Sequence, residues 1–217
     1  MAINFTDQLE TLQNRLARMS ALVQQVVEQS VDSIVSCNER LAEQTIATDK
    51  RVDDEEVEIE KLAINLLALH QPTAIDLRII MTVIKANSDL ERIADCAVNC
   101  AQRVRPLVLE HNYRAPADLK LMGNSVVNLL RSTLKALNLG DQNLAKEVVR
   151  SDDVVDALYA QIVQDMLSNM QGSDTEVNFG NIMMAKNLER IGDHCTNIAE
   201  DVIYVHTGLI IRHLHAL

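Results

Sequence analysis

Two strings in this sequence set carboxylates at a spacing that could do chemistry. Leu90-Glu91-Arg92-Ile93-Ala94-Asp95 and Leu188-Glu189-Arg190-Ile191-Gly192-Asp193 each hold a Glu and an Asp four residues apart, and Asp49 with Asp53 and Asp152 with Asp156 repeat the four-residue step. On a helix, side chains four apart stand one above the other, about 5–6 Å between Cβ atoms, so each pair forms a column of like charge. Asn99 and Asn197 extend the two Glu-Asp columns by one more turn. Such a column costs roughly 0.2–0.5 kcal/mol when exposed and more when a neighbouring helix brings a second pair close; a cation between the pairs removes that cost. Ligands that are all oxygen select hard or intermediate cations such as magnesium, calcium, manganese or iron. The plainer reading is a solvated acidic face, with Lys186 paired to Glu189 at i, i+3. That the columns occur twice, in equivalent places, favours the metal reading.

The elements that must position these residues are helices. From Leu9 to Val35 the apolar residues fall at steps of three and four, the mark of one long amphipathic helix. Asn38 is placed to cap a second, which runs to the break at His70-Gln71-Pro72. Thr73-Ala74-Ile75-Asp76 has the form of a capping box opening a third, with Asp76 set to accept a backbone donor, and Arg105-Pro106 is expected to end it. The stretch from Pro106 to Pro116 reads as a connection. A helix from about Ala117 to Asn138 then stops at Gly140, Asp141 caps the next, and Gln171-Gly172-Ser173 breaks the chain before a second box, Ser173-Asp174-Thr175-Glu176, opens the last. Glu91 recurs as Glu189 at an offset of 98 residues and Asp49 as Asp152 at an offset of 103, so the chain is an internal repeat. The expected fold is all-α: two tandem three-helix bundles, residues 1–112 and 113–217, each with an up-down-up course. Strung in sequence, they make an elongated molecule.

The bulk composition agrees. Among 217 residues, hydrophobic types make up 47% but aromatics only 2%, and there are 6 glycines and 3 prolines, too few for the corners of a β-sandwich. A net charge of −11 opposes binding to a phosphate backbone, so no nucleic-acid partner is expected. The start of the chain lacks a signal-peptide pattern and no apolar run reaches the roughly 18 residues of a membrane span, which points to a cytoplasmic protein without direct membrane insertion. Cys96 and Cys100 lie one turn apart and could offer two thiolates; together with Cys37 and Cys195 they read more simply as small buried residues in a reducing compartment. His194 follows Asp193 and so points about 100° away from it. His206, His213 and His215 sit at the tail and read as a solvent-facing end, and Met183 and Met184 read as core filler.

The doubled Leu-Glu-Arg-Ile-(Ala or Gly)-Asp string, the segment Gln71-Pro72-Thr73-Ala74-Ile75-Asp76-Leu77-Arg78 and the doubled three-helix plan together resemble the PhoU family, over nearly the whole chain. The resemblance implies no enzymatic reaction. It implies a negative regulator of phosphate signalling and uptake that contacts a phosphate sensor histidine kinase and the ATPase subunit of the phosphate ABC transporter. It further implies surface metal sites for ions such as iron, manganese, zinc or magnesium, with Asp49, Asp53, Glu91, Asp95, Asp152, Asp156, Glu189 and Asp193 as ligands and Asn99 and Asn197 as supports. The sequence departs from a strict repeat in two places. Ala94 stands opposite Gly192, and Asp174-Thr175-Glu176-Val177-Asn178-Phe179 replaces the Gln-Pro-Thr string, which confines whatever Arg78 offers to the first half. The long apolar stripes point to a homodimer.

Two other readings use the same residues. A diiron-carboxylate bundle enzyme also gathers Asp and Glu from facing helices, but such sites need Glu-x-x-His, and no Glu here is followed by His three residues later. A metal-free helical adaptor would use the acidic columns only for solubility. Neither a Gly-x-Ser-x-Gly elbow nor a phosphate-cradling glycine loop is present.

Overall fold

The computed structural model describes residues 4–168 and 175–209. They form six helices, α1 (Phe5–Ser36), α2 (Glu39–Leu69), α3 (Ala74–His111), α4 (Ala117–Leu139), α5 (Gln142–Ser168) and α6 (Thr175–Thr207), and among the described residues there is no strand. The apolar stripe of α1 buries Leu12, Leu16, Met19, Val23, Val27 and Ile34, so periodicity in the sequence becomes one face turned to the core. Asn38 caps α2: its Oδ1 accepts from the backbone N–H of Arg40 at 3.0 Å and of Leu41 at 3.3 Å. Asp141 does the same for α5 through Asn143 and Leu144. Gly140, at φ +62°, closes α4 in the left-handed conformation that glycine adopts without cost.

Two local expectations are corrected. Thr73 makes no side-chain cap; its hydroxyl donates instead to the Asp76 carboxylate at 2.7 Å, so the two side chains satisfy each other rather than the helix end. The helix α3 does not stop at Pro106 but runs on to His111. A proline inside a helix removes one hydrogen bond and crowds the preceding turn. Here packing and charge on both sides outweigh that cost: Val104 and Leu107 are buried, and Arg105 pairs with Glu39 at 3.2 Å and Glu43 at 3.3 Å of α2. The second box falls partly on residues 173 and 174, outside the described residues.

Within each half the third helix packs on both others, α3 on α1 and α2, and α6 on α4 and α5. The halves are joined laterally, because α3 packs along α6, the most extensive helix pair in the molecule, and α1 packs on α4. The α3–α6 pair is antiparallel: Thr82 meets Asp201, Asp89 meets His194, Cys100 meets Met184 and Leu107 meets Gly180, rising numbers on one helix against falling numbers on the other. One contiguous core therefore spans both halves. Small residues allow this closeness. A Cβ at Gly123 would sit 2.9 Å from Val31 Cγ1 across the α1–α4 contact, and one at Gly180 would sit 2.8 Å from Leu107.

Replacing Gly123 with Leu forces α1 and α4 apart. Overpacking of this kind costs about 1–3 kcal/mol, and urea unfolding of Gly123→Leu is expected to show a lower midpoint with the slope unchanged.

Candidate metal centre

The eight carboxylates predicted as ligands fall on two helix seams, one in each half. In the first, α2 supplies Asp49 and Asp53 and α3 supplies Glu91 and Asp95. Their mutual influence shows in their acidity. Burial pushes the Asp49 carboxyl above the ordinary range, and the charges of Asp53 and Asp95 push it further. Glu91 is raised by burial and by Asp95, against the pull of Arg92. Glu56 joins this group, raised by burial, Glu60 and Asp53. Sequence reasoning missed it, although the run Asp53-Asp54-Glu55-Glu56 places it one turn from Asp53.

The second seam repeats the arrangement with more burial. Asp152 is pushed up to about 6, first by burial and then by Asp156 and Asp193, while a hydrogen bond from the Thr196 hydroxyl at 3.1 Å opposes the rise. Asp156 is raised by burial and Glu189, and Asp193 by burial, Glu189 and Asp156.

Each seam also carries one built-in cation. Arg92 reaches Glu91 at 3.2 Å and Asp95 at 3.1 Å. Lys186 grips both oxygens of Glu189, at 2.9 and 2.7 Å, while stacking over the Tyr159 ring at 5.3 Å. The plain i, i+3 pairing expected for Lys186 is thus present. It does not neutralise the whole group, because one oxygen in each seam, Oδ1 of Asp49 and Oδ1 of Asp152, is buried without a hydrogen-bond partner. These are equivalent positions in the repeat, and a buried carboxylate oxygen without a donor costs free energy in each.

Gly192 explains how Asp152 reaches so deep. A Cβ there would lie 2.7 Å from Asp152 Oδ1, so the glycine makes the space the carboxylate occupies. The side chain that exploits the Gly192 position is an aspartate from α5 rather than a backbone.

Not every expected ligand lies with the carboxylates. Asn99 lines a cleft between α3 and α6 together with Arg103 and Arg190. Asn197 turns to Asp89, 3.5 Å away, and His194 Nδ1 donates to the same Asp89 oxygen at 2.8 Å. His206, expected as a free end, donates from Nε2 to the Gly140 carbonyl at 2.7 Å and ties the end of α6 to the end of α4; His213 and His215 lie outside the described residues. Cys96, Cys100 and Cys195 are buried, and burial pushes all three thiols up, Cys195 to about 12, which disfavours the thiolate a soft metal needs.

Among the described residues, the only three His, Cys, Asp or Glu side chains with one ligand atom each, all within 4.8 Å of one another, are Glu110, His111 and Glu176. His111 Nε2 sits 3.3 Å from a Glu176 oxygen. Sequence reasoning missed this group because it joins the end of α3 to the start of α6. Among the described residues no three of the eight seam carboxylates close to that distance; Glu91 and Asp95 pair instead with Arg92, and Glu189 with Lys186.

The doubled carboxylate seams can now be set beside known proteins. The PhoU domain matches residues 16–104 and again residues 119–202. The chain belongs to the PhoU family. A phosphate-specific transport system accessory protein PhoU homolog of Clostridium acetobutylicum is 35% identical over 207 residues, covering 94% of each chain. A homolog of Pseudomonas aeruginosa bearing the same description is 33% identical over 213 residues, 97% of this chain and 88% of that one. Among solved structures, PhoU from Pseudomonas aeruginosa superposes with a TM-score of 0.91 at 32% identity, over 95% of this chain and all of that one, 100%. The phosphate transport system regulatory protein PhoU from Streptococcus pneumoniae superposes at 0.88 with 27% identity, over 95% of this chain and 99% of that one. The PhoU fold, with its domain repeated twice, is therefore the fold of this chain.

The raised pKa of Asp152 gives a signed test. Its folded value, about 6, lies above the ordinary 3.8, so its ionisation opposes folding above pH 6 and this penalty fades as pH falls through 6 toward 4. Asp152→Asn should stabilise the metal-free protein at pH 7 by on the order of 1 kcal/mol after allowance for solvent screening. Melting curves of the two proteins should converge between pH 7 and pH 4.5.

Proposed function

We propose that this chain is a cytoplasmic, non-enzymatic regulator of phosphate uptake and phosphate signalling, and that its two carboxylate seams are metal-binding sites. The regulatory role is supported by membership of the PhoU family and by the descriptions its relatives carry, as accessory proteins of the phosphate-specific transport system. On this reading it restrains phosphate-starvation signalling when phosphate is plentiful, through contacts with a sensor histidine kinase and the ATPase subunit of the phosphate transporter. It acts as a homodimer of two-domain chains, the halves dividing near residue 112. No helix among the described residues is long and apolar enough to cross a membrane, which suits an accessory protein that visits membrane complexes.

The observation that carries the metal reading is the pair of buried, unpartnered oxygens at Asp49 and Asp152, equivalent positions of the repeat, each facing further carboxylates. The donor set in both seams is oxygen, which fits magnesium, manganese, iron or zinc held by carboxylates. Asp49, Asp53, Glu91 and Asp95 would hold one site, and Asp152, Asp156, Glu189 and Asp193 the other; Asn99 and Asn197, which turn to the α3–α6 seam, would not join them. A bound cation would supply charge neutralisation and cross-linking of the seam helices. A diiron enzyme lacks support here, since neither seam brings a histidine among its carboxylates in the way Glu-x-x-His would.

Two measurements test this. Chelator-stripped protein titrated with Mn²⁺ should bind saturably and melt at a higher temperature; Asp49→Asn with Glu91→Gln should abolish the first-seam sites while leaving the second. No heat and no thermal shift with any of the four metals would leave the adaptor reading in possession. Separately, deleting the gene should raise phosphate-starvation gene expression in phosphate-rich medium, and unchanged expression would sink the regulatory role.

A further inference from the structure

The seam between α3 and α6 holds a cleft whose six lining positions have repeat equivalents of different chemistry. It has a volume of about 470 Å³ and is lined by Asn99, Gln102 and Arg103 of α3 and by Met183, Asn187 and Arg190 of α6. It contains no carboxylate. Arg103 and Arg190 make no ion pair among the described residues, a state they share with Arg18, Arg40, Arg51, Arg78, Arg114 and Arg150; what sets them apart is that they line one cleft from two helices. Asn187 is 7% exposed and sets the floor, its Nδ2 donating to the Met183 carbonyl at 2.8 Å.

The 98-residue offset carries these six positions onto Asn197, Glu200, Asp201, Lys85, Asp89 and Arg92. There the charges are settled internally. Lys85 pairs with Asp201 at 3.0 Å, Asp89 takes a hydrogen bond from His194 at 2.8 Å, and Arg92 turns to Glu91 and Asp95. Where the equivalent positions carry Asp89 and Asp201, the cleft has Asn187 and Arg103. The same scaffold position thus holds its own counter-ions on one side and two arginines without them on the other, in a chain whose net charge is −11. Two unpaired guanidinium groups on one cleft repel each other until an anion lies between them, and the planar fork of arginine matches phosphate bidentately.

We infer that the Arg103–Arg190 cleft binds a small phosphate-bearing anion, with the phosphoryl group on the two guanidinium groups and the amides of Asn99, Gln102 and Asn187 contacting the rest. The volume lies in the range of small-molecule sites, about 300–1,000 Å³, and exceeds what a bare phosphate fills. The inference owes nothing to metal at the carboxylate seams.

Equilibrium dialysis of the full chain in the presence of chelator, with inorganic phosphate and with AMP as separate probes, tests it. At least one probe should saturate at one per chain, bind more weakly as salt rises and be displaced by sulfate. In Arg103→Gln with Arg190→Gln the affinity should fall by about tenfold or more, the loss expected for charged hydrogen bonds. Binding of phosphate alone would identify the free ion as the occupant, and binding of AMP alone an organic phosphate. Both arginines are exposed on the surface, so the variant is expected to melt normally and to retain Mn²⁺ binding, which separates failure here from failure of the metal reading. Absence of saturable binding for both probes, or equal binding by the double variant, overturns the inference.

Discussion

The antiparallel contact of α3 with α6 is the constraint on which the rest of the molecule depends. It turns a tandem duplication into one object, because each half contributes its most buried helix to a shared core. Ile93 and Ile191, equivalent positions 98 residues apart, are both fully buried in that core. This placement fixes where everything polar must go. The carboxylates of α3 and α6 face outward to α2 and α5, while the flanks of the crossing are left to Asp89, His194, Lys85 and Asp201 on one side and to Arg103 and Arg190 on the other.

A shared core also limits how the halves can diverge. Buried apolar positions must fit the shared core, and Leu90 and Leu188 and Ile93 and Ile191 keep the same identity in both copies. Positions that meet solvent or a neighbouring seam are freer. Ala94 and Gly192 differ by one methyl group, yet that group decides how closely Asp152 can pack, and Asp152 is the more deeply perturbed of the two equivalent aspartates.

Much of this could be read from the amino acids in order. Six helices, the caps at Asn38 and Asp141, the stop at Gly140 and the carboxylate columns are local features, carried by residues within one or two turns. What escaped was set by distant partners. Pro106 looks like a stop because its own turn is penalised; the packing of Leu107 on Gly180 and the ion pairs of Arg105 to α2 lie far away in sequence and reverse that preference. Thr73 and Asp76 match a capping box in type, but their side chains bond to each other. Glu110, His111 and Glu176 come together only because α3 and α6 are antiparallel, which brings the end of one beside the start of the other. Asn99 and Arg103, four apart, share a face of α3 by spacing alone, but nothing in the order of residues showed that Arg190 of α6 joins their cleft.

Lys186 has one more implication. Its ammonium is tethered to the same helix as Glu189 and held over Tyr159, so it acts as an intramolecular competitor present at a high effective concentration. Any cation taken up there, as proposed, would have to displace a charge that never diffuses away. Monovalent ions, with one charge and a loosely held hydration shell, gain too little from the remaining carboxylates to do so, whereas a doubly charged ion gains from several at once. Under the proposed metal reading, the lysine would work as a filter on charge density, raising the concentration at which that seam would fill and sharpening its preference among cations.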